Sequence, residues 1–127
     1  PIHPEIGLWT GALERLNKKG INRIGAIHRG FFTYESSAFR NDPKWEMPIE
    51  LKRNFPQIPI ICDPSHIAGR KGLVTDISRL ALDYDFDGLM IESHINPKSA
   101  LTDQYQQLEP EELKILLNSL EKENILK

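Results

Sequence analysis

Three short apolar runs in this chain end in ionisable side chains: "AIHRG" at residues 26–30, "IICDPSH" at 60–66 and "LMIESH" at 89–94. A turn after a buried strand needs only a Pro or a Gly, so the His, Asp, Glu and Arg residues at these ends call for another explanation. Imidazole nitrogen and carboxylate oxygen are ordinary ligands of divalent transition metals, which makes His66, Glu92 and, further along, Asp103 a candidate metal set. The separations are too long for a local motif, so two readings stand. In one, the three residues share an ion. In the other, His66 is a cap or loop residue, Glu92 pairs with a lysine and Asp103 caps a turn. Placement of His66 and Glu92 at strand ends strengthens the first and leaves both open.

Arg29 of "HRG" and Arg70 of "AGRKG" each sit near a glycine at such an end. A guanidinium there can grip a phosphate with two parallel hydrogen bonds, and the glycine lets backbone come close. A single surface arginine is more simply an ion-pair partner; two on one rim favour an anionic, phosphorylated substrate. Cys62 lies inside its apolar run, where a free cysteine behaves as a small hydrophobe, and the metal or nucleophile reading is the weaker one. His28 and His94 stand beside strand ends as second-rank acid–base groups or as solvated residues. His3 carries no signal. Phe31, Phe32 and Tyr34 are expected to wall a loop, and Trp9 and Trp45 to pack.

The elements that must position these groups follow from periodicity. Ile6, Trp9, Leu13 and Leu16 recur at helical spacing between Pro4 and Lys19, with Gly20 placed to end the helix. Residues 23–27 are a strand candidate, followed by a long loop. A short helix is expected from Pro48 to Arg53. Ile58 to Cys62 forms a second strand, apolar enough to be covered on both faces. Val74, Ile77, Leu80, Ala81 and Tyr84 mark a second long helix. Gly88 to Ile91 forms a third strand. After another loop, Leu113, Leu116, Leu117 and Leu120 stripe a last helix, and the polar tail 121–127 is expected to fray. Alternating helices and strands imply a parallel sheet with right-handed crossovers, and ligands of such α/β folds bind outside the carboxyl ends of the strands.

The rest of the composition is ordinary. The 127 residues include 39% hydrophobic and 27% charged side chains, enough for one domain with a core. A net charge of −2 argues against general nucleic-acid affinity, which needs a basic face. Nothing approaches the roughly 20 apolar residues of a transmembrane helix, and the opening residues have no leader pattern. One cysteine cannot form an internal disulfide, so a reducing cytoplasm is the expectation.

Taken together, "GAIHRGFFTYE", "RNDPKWEMPIELKRNFPQIPIICDPSHIAGR" and "DGLMIESHINPKSALTDQYQQL" resemble the C-terminal half of a 3-deoxy-D-arabino-heptulosonate 7-phosphate (DAHP) synthase. The similarity is to the compact type related to 3-deoxy-octulosonate 8-phosphate synthase and often fused to chorismate mutase. The resemblance implies a (β/α)8 TIM barrel and the first step of the shikimate pathway, in which phosphoenolpyruvate and erythrose 4-phosphate condense and phosphate is released. It implies a divalent metal of the Mn, Fe, Co or Zn type, with His66, Glu92 and Asp103 matching family ligands. Arg29 matches an arginine that binds the phosphoenolpyruvate phosphate, and Arg70 a basic position near the substrates. The family's cysteine ligand belongs to the first strand, so Cys62 does not fill that place.

A complete barrel takes roughly 250 residues. The expectation is therefore that residues 1–127 form a partial barrel domain, strands six to eight with their helices, without a chorismate mutase domain. Such a piece is expected to be inactive alone and to associate with the missing half or with copies of itself. Two alternatives accompany this reading: a non-catalytic phosphate- and metal-binding regulatory module, and the octulosonate synthase, which uses arabinose 5-phosphate.

Overall fold

A computed structural model of the chain describes residues 2–35 and 37–122. The elements run α1 (Ile6–Lys18), β1 (Ala26–His28), α2 (Glu46–Asn54), β2 (Ile60–Cys62), α3 (Pro64–Ala68), α4 (Val74–Asp83), β3 (Gly88–Leu89) and α5 (Pro110–Lys122), with single 3-10 turns at Lys71–Leu73 and Pro97–Ser99. The strands form one parallel sheet in the order β1-β2-β3. His28 pairs with Cys62, and Cys62 with Leu89, so the three carboxyl ends lie side by side.

Local chemistry accounts for the helix ends. Gly20 takes φ 81° just past α1, where the Gly20 N–H donates to the Asn17 carbonyl and the Ile21 N–H to that of Leu16. This double closure satisfies carbonyls that the helix end would otherwise leave orphaned. Pro48 sits in the first turn of α2, where its missing N–H costs nothing, and the helix begins two residues before it rather than at it. Pro110 opens α5, and Glu112 reaches back to accept the Glu109 N–H.

Strand alternation separates the two faces of the sheet. Ala26, His28, Ile60 and Cys62 are buried and join a core with Trp9, Leu13, Leu51, Val74, Ile77, Leu116 and Leu120. The opposite face is open: Ile27 and Met90 are each 45% exposed. The expectation that β2 is covered on both faces is therefore not met among the described residues; the helices cover one face only. β1 also starts three residues later than periodicity placed it, because Arg23, Ile24 and Gly25 make no ladder pairs. In α4 the buried stripe is Val74, Ile77, Ser78 and Ala81, while Leu80 and Tyr84 flank it half-exposed. Of the expected polar tail, Glu121 and Lys122 belong to α5, and 123–127 lie outside the described residues. No helix among the described residues is long and apolar enough to cross a membrane.

Candidate metal centre

The segment after β2 is a five-residue helix that periodicity is too coarse to reveal. Asp63 caps it, Pro64 occupies its first turn, and Gly69 closes it in the left-handed conformation at φ 67°. The Asp63 carboxylate does two jobs: Oδ1 accepts the His66 N–H at 3.0 Å, and Oδ2 lies 2.7 Å from His66 Nδ1. A carboxylate only accepts when ionised, so this contact puts the ring proton on Nδ1 and turns Nε2, with its lone pair, outward.

Glu92 follows β3 by three residues. Its N–H donates to Ser65 Oγ at 3.0 Å, which ties it to the residue before His66. Asp103 stands in an irregular loop with φ 56°, a conformation that aspartate tolerates better than most residues. One donor atom each from His66, Glu92 and Asp103 lies within 4.8 Å of the others, and all three residues are half-buried. His66 Nε2 is 4.0 Å from Asp103 Oδ2. One imidazole nitrogen and two carboxylate oxygens that converge in this way suit a divalent transition metal, and three protein donors leave coordination positions for water or substrate.

Two further side chains complete the cluster, and sequence patterns gave no sign of either. Arg40 Nη1 donates to Asp103 Oδ1 and, at 2.8 Å, to Gln106 Oε1. Gln106 Nε2 donates in turn to Glu92 Oε2. The hydrogen bond from Arg40 is the main cause that holds the Asp103 carboxyl below the usual carboxylate range; burial opposes it, and the charge of Arg40 reinforces it. Asp103 is thus kept ionised, as a ligand must be. Only Asp63 had a readable signal, since an acidic residue directly before a proline is a common helix start.

The DAHP synthetase I family is matched over residues 6–126. The chain belongs to this family. A phospho-2-dehydro-3-deoxyheptonate aldolase of Thermotoga maritima is 33% identical over 109 residues, which are 86% of this chain and 32% of that protein. The crystal structure of the Thermotoga maritima enzyme under that name, also called DAHP synthase, superposes with a TM-score of 0.85 at 30% identity, covering 99% of this chain and 38% of the other. A truncated form of the Thermotoga maritima 3-deoxy-D-arabino-heptulosonate 7-phosphate synthase gives a TM-score of 0.76 at 32% identity, over 90% of this chain and 44% of that one. The chain therefore spans about a third of the length of the curated relative it matches.

Around the cluster of this DAHP synthetase I chain, the other candidates fall into distinct places. Arg29 is exposed at the end of β1 and lines a cleft of about 400 Å³ with Trp9, Ile27, His28, Phe31 and Asn41. Gly30, at φ 77°, has no room for a side chain: a Cβ there would lie 2.7 Å from Asn41 Cβ. The glycine thus lets the 40–42 segment dock beside the strand end. Arg70 is exposed after Gly69, and no hydrogen bond or ion pair among the described residues joins it to the cluster. Cys62 is fully buried; burial pushes its thiol pKa far up, which suits a core residue and not a thiolate ligand. His94 accepts the Asn96 N–H at Nδ1, a turn contact outside the cluster. His28 is not solvated at all but enclosed by aromatic rings. Trp9 and Phe31 are buried and Trp45 packs against the core, whereas Phe32 and Tyr34 pair edge-to-face at the surface.

Proposed function

We propose that this chain is the C-terminal part of a (β/α)8 barrel that condenses phosphoenolpyruvate with erythrose 4-phosphate to DAHP and phosphate. His66, Glu92 and Asp103 hold its divalent metal. The observation that carries the reading is the convergence of those three donor sets on the carboxyl-end rim of the sheet, in a chain of the DAHP synthetase I family. The open sheet face and, among the described residues, the unpaired outer edges of β1 and β3 support it. Parallel sheets are otherwise covered on both faces, and further strands closing a barrel would bury both face and edges.

Each side chain has a physical task in this reading. A bound divalent ion supplies Lewis acidity toward a carbonyl oxygen. His66 presents Nε2 because Asp63 holds Nδ1, and Asp103 offers a charged oxygen because Arg40 keeps it ionised. Arg29 grips the phosphate of phosphoenolpyruvate from the cleft beside the rim, with Gly30 fixing the turn behind it. Arg70, exposed on the same rim, adds positive charge near the substrates.

In the complete barrel, Arg29→Ala is expected to weaken phosphoenolpyruvate binding on the order of 100-fold, the worth of two charge-assisted hydrogen bonds. Arg29→Lys should recover part of this, because a point charge cannot reproduce the fork. Metal affinity should stay at the parent's level. Separate titrations of Mn²⁺ and phosphoenolpyruvate check this; an unchanged phosphoenolpyruvate affinity would remove Arg29 from the site. Residues 1–127 alone, given Mn²⁺ and both substrates, are expected to release no inorganic phosphate, since three strands leave the sheet open. Turnover by that chain would overturn the partial-barrel reading.

A further inference from the structure

The three candidate ligands come from unlike places. His66 is on a helix, Glu92 follows a strand, and Asp103 stands in an irregular loop. A carboxylate on a loop has no regular backbone ladder to aim it. Something else must hold Glu92 and Asp103 with one oxygen each toward the ion.

We propose that Gln106 and Arg40 are positioning residues that aim the Glu92 and Asp103 carboxylates, so that metal affinity depends on both although neither is a ligand. The inference rests on the metal reading of the cluster. Gln106 is 1% exposed, yet its amide has partners at both ends. Those partners also fix which way it faces. A guanidinium can only donate and an ionised carboxylate can only accept, so Oε1 must meet Arg40 and Nε2 must meet Glu92. The bond to Glu92 Oε2 fixes how that carboxylate is turned. In the same way Arg40 occupies Asp103 Oδ1 and leaves Oδ2 on the His66 side.

The brace is anchored to the helix that carries His66. The Arg40 N–H donates to the Ile67 carbonyl at 3.0 Å, and Asn41 Nδ2 donates to the carbonyl of His66 itself at 2.8 Å. The Arg40 side chain crosses Gly69 so closely that a Cβ there would lie 2.5 Å from Arg40 Cβ. One hydrogen-bonded chain, Ile67 to Arg40 to Gln106 to Glu92 with a branch to Asp103, therefore joins the three ligand-bearing segments. Partners of this kind orient ligands, and their loss characteristically costs metal affinity. Arg40 also acts in the opposite sense, because its charge repels a cation. Its side chain is 48% exposed, so water screens that repulsion. Gln106, being neutral, reports the positioning effect alone.

The test uses the complete synthase, with Mn²⁺ affinity read by calorimetry and the bound ion by its EPR spectrum. Gln106→Met keeps the volume and removes both hydrogen bonds. It is expected to weaken Mn²⁺ binding roughly 10- to 100-fold and to alter the EPR lines at saturating metal. Leu120→Val, which loosens the core away from the site, should retain the parent spectrum. Arg40→Lys keeps the charge but draws the donor nitrogen back from Asp103 and Gln106, both of which Arg40 reaches through Nη1, and should weaken binding by a smaller factor. Parent-like affinity and spectrum in Gln106→Met would overturn the brace while leaving the metal reading intact. If Gln106→Met does not fold, parent-like affinity in Arg40→Lys overturns it. A parent enzyme that does not bind Mn²⁺ would overturn the metal reading and the brace with it.

Discussion

Replacing His66 by alanine in the complete barrel is expected to reduce affinity for Mn²⁺ or Zn²⁺ on the order of 100-fold or more, and Glu92→Ala and Asp103→Ala should do the same. Each of the three offers the ion a direct bond, and removing one takes that bond away. The loss should exceed the roughly 10- to 100-fold typical of outer partners. His66→Ala also strands the Asp63 carboxylate, which is almost fully buried and loses the ring it contacts at 2.7 Å. Two controls sharpen the result. Cys62→Ala and His94→Ala should leave affinity at the parent's level, since Cys62 is a protonated core thiol and His94 is engaged in a turn. Calorimetric titration of the five variants decides the matter. A loss of metal binding in Cys62→Ala with normal binding in His66→Ala would mean that the ion sits elsewhere.

Acid should destabilise the fold through His28. Its ring is 1% exposed and packed among Trp9, Phe31, Trp45 and Phe86, and among the described residues neither ring nitrogen has a hydrogen-bond partner. Burial lowers its pKa to about 4; the Pro43 carbonyl, near the ring but short of hydrogen-bond geometry, opposes this without offsetting it. The sign follows from proton counting. Above about pH 6.5 both folded and unfolded chains hold His28 neutral, and its contribution is constant. Between about 6.5 and 4 the unfolded chain takes up a proton that the folded chain excludes, so stability falls with pH. The gap from about 6.5 to about 4, at roughly 1.4 kcal/mol per pH unit, comes to about 3 kcal/mol. His28→Phe keeps an aromatic ring in the cage and removes the titration. Denaturant melts at pH 7.5 and pH 5 should show a smaller difference for the variant than for the parent. Equal differences would place the acid sensitivity on other groups.

The same histidine marks a boundary between what residue order conveys and what packing decides. Its position at a strand end suggests a solvated or catalytic group, but "AIHRG" does not say which face His28 occupies. Register decides it: His28 pairs with Cys62 on the side that the helices cover, while Ile27, its neighbour, faces the open side.

Residue order alone determined the α/β alternation, the parallel sheet and the placement of Arg29, His66 and Glu92 at one rim, because apolar periodicity and strand-end polarity are local signals. It also carried the family, whose motifs are contiguous words. It missed α3, since five residues are too few for a helical period to appear, and it placed β1 early, since apolar Ile24 extends the run without a ladder partner. Residue types and the family motifs had already grouped Asp103 with His66 and Glu92; tertiary structure alone recruited Arg40 and Gln106. Arg40 lies 63 residues from Asp103 and 66 from Gln106, and no propensity or spacing encodes such pairs. They form because the loop after β1 docks on α3 and the loop after β3 folds back over the same rim. A charge-assisted bond between distant loops is fixed only when packing has brought both within reach.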